Sequence, residues 1–146
     1  MTETKYGKYI LTKPKNWVPP GDMGERKPTA EQRTQILYID STFVKEAPFF
    51  TVCNWTWPGT DLAPSPPHVH DFDELYAFVG SNPEDTSDLC GEIEIWLGDE
   101  KHVLTKTCMV FIPKGLKHGP TIFKRVERPI FNLVTGVMPT YSVSKK

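Results

Sequence analysis

No long apolar run occurs in this chain: the longest hydrophobic stretches are a few residues, and the first ten residues are interrupted by lysine and tyrosine. A membrane-spanning helix needs about 20 such residues and a signal peptide an apolar centre, so neither is expected. The reading is a soluble, cytoplasmic protein without a membrane partner. Excess positive charge is missing too, with 17 Lys and Arg against 18 Asp and Glu and a net charge of -1. That balance leaves nothing to neutralise a phosphate backbone, which excludes nucleic acid as a partner. Cysteine is scarce: Cys53, Cys90 and Cys108 are odd in number and contain no Cys-x-x-Cys spacing. A disulfide framework and a thiolate zinc site are both excluded, and reduced, mostly buried thiols are expected.

What remains is 146 residues, enough for one core but short for two ordinary domains, with 14 prolines and 10 glycines that imply many turns between short segments. Pro14, Pro19, Pro20, Gly21, Gly24 and Pro28 make 13–28 an extended stretch, so residues 1–35 read as an N-terminal lead-in. Within it, Thr29-Ala30-Glu31-Gln32 has the form of a capping box and predicts one short helical turn. From Ile36 the texture changes to β-rich runs at 36–44, 49–57, 74–79, 92–97, 103–107, 109–112, 121–126 and 130–137, nearly all separated by turn signals. A polar insertion at 81–90 divides two of them. Residues 36–146 are therefore expected to form one all-β domain, a barrel or sandwich.

Three histidines and one glutamate stand out from this background. In Pro66-Pro67-His68-Val69-His70 the imidazoles are two residues apart, which on an extended strand puts both on one face, where a single ion can meet them. Glu74 shares their parity, but a straight strand rising about 3.3 Å per residue would carry it roughly 20 Å from His68. The chain must turn, and Asp71-Phe72-Asp73 is suited to do so before the returning run. Downstream, Phe111-Ile112-Pro113-Lys114-Gly115-Leu116-Lys117-His118 ends a strand in a Pro/Gly turn and delivers another imidazole.

His68-x-His70-x-x-x-Glu74 followed by Gly80, and then Pro113-x-Gly115-x-x-His118, resemble the two motifs of the cupin superfamily in their proper order. The resemblance covers roughly residues 45–137. It implies a small double-sheet β-barrel of jelly-roll type in which His68, His70, Glu74 and His118 bind one divalent metal. Two positions depart from the pattern: Thr107 stands where the second motif usually begins with glycine, and Ile122 where asparagine is frequent. Neither is a ligand position. Three imidazoles and a carboxylate suit Fe or Mn above all, with Zn and Ni as further choices. The resemblance implies a mononuclear metal-dependent enzyme acting on a small organic molecule, of oxygenase, isomerase or lyase type. Its alternatives are a non-catalytic small-molecule-binding or sensor module and a purely structural ion.

The remaining side chains divide less cleanly. His102 follows the charged turn Gly98-Asp99-Glu100-Lys101 and is expected at the surface. Asp71 and Asp73 are expected to bond backbone in their turn. Tyr76 and Phe78 share the parity of Glu74 and can line a cavity or simply pack, and Trp55, Trp57, Trp96 and Phe111 carry the same two readings. Lys114, Lys117, Lys124, Arg125 and Arg128 read as a solvated face. Leu75, Ala77 and Val79 alternate with Glu74, Tyr76 and Phe78, so that strand is apolar on both faces and requires a second cover. The lead-in or a second subunit can supply it, and cupins are often dimers through such a surface; a homodimer is expected.

Overall fold

The computed structural model describes residues 4–12, 31–59, 62 and 64–140. Among the described residues a short 3-10 helix, Gly7–Tyr9, precedes eight strands: β1 Arg33–Ile39, β2 Phe50–Thr56, β3 Glu74–Gly80, β4 Asp88–Leu97, β5 Glu100–Lys106, β6 Cys108–Ile112, β7 His118–Val126 and β8 Ile130–Gly136. The order β1-β2-β8-β3-β6 forms one sheet and β5-β4-β7 the other, with every pairing antiparallel. This is the all-β, double-sheet architecture expected of the sequence, although the two sheets are not closed into one ring of hydrogen-bonded strands. No helix among the described residues is long and apolar enough to cross a membrane.

Period-two patterning explains the strands. In β2, Phe50, Val52, Asn54 and Thr56 are buried while Thr51, Cys53 and Trp55 are less so, as a sheet with one interior face requires. Strand boundaries differ from expectation where side chains override run length. β1 begins at Arg33 and stops at Ile39, because the buried Asp40 carboxylate accepts hydrogen bonds from Thr42 N–H and Tyr38 Oη and turns the chain. β4 starts at Asp88 and β7 at His118, both earlier than their apolar residues suggest. The expected lead-in at 13–28 lies outside the described residues, as does the first half of the expected helical turn at 29–32.

The interior is divided. Leu62, Phe78, Leu89, Ile93, Phe123, Val126 and Ile130 form one buried cluster; Tyr38, Phe50, Val52 and Phe72 form another, against which Phe43, Val134 and Met138 pack. Two glycines permit close approaches. A Cβ on Gly80 would lie 1.8 Å from the Asp88 carbonyl oxygen, and one on Gly136 would lie 2.2 Å from the Phe50 ring and 2.7 Å from that of Phe72. Thr107, the residue standing in place of a motif glycine, accepts a hydrogen bond through Oγ1 from the Gly80 N–H at 3.0 Å.

Candidate metal centre

Two separate segments are stitched together to build the site. His68 and His118 form an isolated antiparallel bridge, each backbone N–H donating to the other's carbonyl at 2.9 and 3.0 Å. Gly115 N–H donates to the His70 carbonyl at 2.8 Å, and Lys114 N–H donates to Asp73 Oδ1 at 2.9 Å. The turn at Asp71-Phe72-Asp73 therefore does more than reverse the chain: Asp73 ties it to the Pro113 turn. Phe72 is buried and stacks on the His70 ring, centroids 4.6 Å apart and planes inclined by 22°. Glu74 follows as the first residue of β3, paired with Ile112 on one side and Gly136 on the other, and points into the interior.

The result places ligand atoms of His68, His70, Glu74 and His118 within 4.8 Å of one another. His70, Glu74 and His118 are almost fully buried, and His68 is partly so. Glu74 Oε1 lies 3.3 Å from His118 Nε2 and Glu74 Oε2 lies 3.4 Å from His70 Nε2. His118 Nδ1 is 2.9 Å from the Leu116 carbonyl and His68 Nδ1 is 2.9 Å from that of Pro66. A carbonyl only accepts, so each of those nitrogens carries the proton and the opposite nitrogen, Nε2, presents a lone pair. Glu74 Oε1 and His118 Nε2 are buried, and neither makes a hydrogen bond among the described residues. Two lone pairs facing each other in a dry interior repel unless a cation or proton lies between them. The donor set thus fits a metal ion: imidazoles held in the ligating tautomer by backbone carbonyls and a carboxylate with an oxygen left over. Burial pulls the His68 imidazole down from its ordinary 6.5 to about 4, the Pro66 carbonyl opposes this, and the neighbouring His118 and His70 reinforce it. At neutral pH that ring is uncharged, the form in which it can coordinate.

The aromatic residues separate by strand parity. Tyr76 and Phe78 point inward with Glu74, and the Tyr76 ring lies 6.0 Å from that of His118 and 6.1 Å from that of Phe78. The other four are corrected to outward positions. Phe111 pairs with Leu75 and is exposed on the outer surface. Trp55 pairs with Thr34 and Phe131 on that same surface, its ring stacking on Trp57, whose Nε1–H donates to Thr34. Trp96 has the parity of Glu92 and Glu94, opposite the buried Ile93 and Ile95. β2 and β6 carry apolar residues on both faces, so hydrophobicity does not reveal their inner side, whereas on β4 the alternation of Glu92 and Glu94 with Ile93 and Ile95 does. His102 is at the surface beside Glu100, at 3.2 Å, and outside the cluster.

Two inward side chains escaped notice in the sequence, Asn54 and Asn132, which are both buried and paired across β2 and β8. Asparagine is depleted in strands, and its occurrence at interior parity within two apolar runs is the signal that marks them.

No family model and no curated protein matches the chain. Solved structures do align with it. An oxalate oxidase in complex with glycolate superposes with a TM-score of 0.56 at 13% identity, over 94% of this chain and 63% of that one. A cupin-2 domain protein from Rhodospirillum rubrum aligns with a TM-score of 0.51 at 12% identity, over 81% and 70% of the two chains. The chain has a cupin fold. It spans less than two thirds of the oxalate oxidase, and identities this low establish the architecture alone. Within that cupin architecture the histidine and glutamate cluster sits between the sheets, on β3, on β7 and on the segment that bridges to β7.

Proposed function

We propose that His68, His70, Glu74 and His118 hold one divalent metal ion and that this cupin is a mononuclear metal-dependent enzyme acting on a small organic molecule. The observation that carries the reading is the buried Glu74 carboxylate set against the Nε2 atom of His118, an arrangement that an ion between them turns from repulsive to favourable. A hard carboxylate with three imidazoles suits Fe(II) or Mn(II), with Zn(II) or Ni(II) as competitors. When bound, such an ion supplies Lewis-acid polarisation or access to dioxygen at positions the four side chains leave open. The reaction is of oxygenase, isomerase or lyase type, and the structural likeness to an oxalate oxidase makes small carboxylates the first substrates to try. We further propose that two copies associate through the outer face of the five-stranded sheet and that the protein works in the cytoplasm.

Metal analysis of the purified protein tests the central point. One ion per chain is expected, and His118→Ala or Glu74→Gln should weaken binding by more than the roughly 10–100-fold typical of losing an outer-shell partner. His102→Ala should leave the content unchanged. Undiminished occupancy in both ligand variants would remove the assignment. Catalysis is tested by turnover of candidate acids by metal-loaded protein under air and without oxygen, and by nitric oxide added to the Fe(II)-loaded form. Failure to form a nitrosyl adduct would turn the ion into a structural staple.

A further inference from the structure

Asn54 and Asn132 lie between the two apolar clusters, where a packed core would place hydrophobic side chains. On β2, Asn54 stands between the inward Val52 and Thr56; on β8, Asn132 stands between the inward Ile130 and Val134. Val52 and Val134 belong to one apolar cluster and Ile130 to the other. Asn132 is only 6% exposed, yet its Oδ1 accepts no hydrogen bond from the described residues. A buried amide oxygen without a donor costs free energy comparable to a lost hydrogen bond, so its retention points to something that arrives to donate. Asn132 shares an inner sheet face with Glu74: Asn132 pairs with Phe78 and Gly136 with Glu74 on the same pair of strands, with the inward Tyr76 between.

Resting on the metal assignment above, we propose that the space between the sheets admits a ligand beside Tyr76, that Asn132 contacts it, and that this contact selects a hydroxylated organic acid. One end of the ligand would meet the metal with its carboxylate, and a hydroxyl towards the other end would donate to Asn132 Oδ1. The register sets the length. Glu74 and Asn132 are four steps apart along adjacent strands, roughly 13 Å, too far for a two-carbon acid and within reach of a chain of about four to six carbons. A chain-borne hydroxyl distinguishes this class from plain acids, whose far end offers no donor, and from ionised dicarboxylic acids, which offer an acceptor to an acceptor. A pocket that contains an unmet acceptor also discriminates strongly, because the analogue lacking the hydroxyl leaves that acceptor buried and unpaired.

The test uses protein loaded with Co(II), whose visible absorption reports ligands entering the metal's coordination sphere, with metal content measured beside each titration. Wild type is expected to bind 4-hydroxybutanoate about tenfold or more tightly than butanoate. Asn132→Leu should keep the metal and lose that preference, and Asn132→Asp, which restores an acceptor, should recover it. The wild-type comparison requires no variant, so misfolding of the leucine variant leaves the proposal exposed to refutation. Equal affinities in metal-loaded wild type, no response to either acid, or a preference that persists in a folded Asn132→Leu protein would each overturn the inference while leaving the metal site standing. A wild-type protein that holds no metal would overturn both.

Discussion

At the scale of single residues, the buried polar groups decide more than the apolar ones. His118 is held two ways, by its backbone bridge to His68 and by its Nδ1 on the Leu116 carbonyl, which together aim its Nε2 at Glu74. A ring so constrained has little rotamer freedom to lose when it coordinates, which favours metal binding. Elsewhere, Tyr38 Oη donates to Asp40 Oδ2 at 2.8 Å in the second apolar cluster. Burial, and then the hydrogen bond and charge of Asp40, raise the Tyr38 hydroxyl well above its ordinary 10. The folded chain therefore keeps a proton that the unfolded chain releases as pH passes 10, so this contribution to stability is complete below pH 10 and declines above it. Tyr38→Phe is expected to lower stability at pH 7 by about 1–3 kcal/mol, since Asp40 loses a donor, and to flatten the alkaline decline. Denaturant titrations at pH 7 and at several values above 10 check both. An unchanged alkaline slope would assign the titration elsewhere. None of this was legible in the sequence, because neither Tyr38 nor Asp40 belongs to a motif and their pairing depends on β1 ending at Ile39.

Among the elements, the turn that separates His70 from Glu74 is the most consequential. It is braced by the Asp73 carboxylate on Lys114 N–H and by Val137 N–H on the Asp73 carbonyl, so it joins the first motif to the second and to the end of β8. Asp73→Ala removes a carboxylate acceptor from the Pro113 turn without touching a ligand. It should cost about 1–3 kcal/mol of stability and reduce metal affinity, because His70 and His118 lose a shared brace. Chemical denaturation and a competitive metal titration measure the two effects; a stability loss with unchanged affinity would mean that the bridge between His68 and His118 suffices. Gly136→Ala probes the same region from behind. Its Cβ would press on Phe50 and Phe72, and Phe72 carries the His70 ring, so it is expected to cost about 1–3 kcal/mol and weaken metal binding together. The need for a turn at 71–73 was readable from strand rise alone. Its partner was not, since Lys114 is 41 residues away and hydrogen bonds at that separation leave no local pattern.

For the whole molecule, the outer face of the five-stranded sheet is the surface that bears on assembly. Leu75, Ala77 and Val79 on β3 lie beside Met109 and Phe111 on β6 and Phe131 and Leu133 on β8. Met109 is 72% exposed and Phe111 62%, a large apolar area for a free surface, and β6 is an edge strand. A dimer is the expected state in light scattering, with Met109→Lys and Phe111→Lys together shifting it to monomer while metal content holds. A monomer across a wide concentration range in the unaltered protein would refute the association.

Sequence by itself determined the β class and the eight β-rich runs, because period-two patterning and turn residues are local properties that survive without a fold, and the resemblance of its two histidine motifs to those of cupins picked out the four residues that meet. The same local rules left the aromatic residues undecided. Phe111 and Phe78 both sit in apolar runs, and only the pairing of β6 with β3 sends one outward and the other in. Tertiary structure alone decided that Asn54 and Asn132 would be neighbours on β2 and β8, about eighty residues apart, between two apolar clusters. It also set Glu74 against His118. The physical reason is common to these cases: a strand specifies which residues share a face, but which face becomes the interior, and what stands opposite, is fixed only when distant strands pair and water is excluded between the sheets.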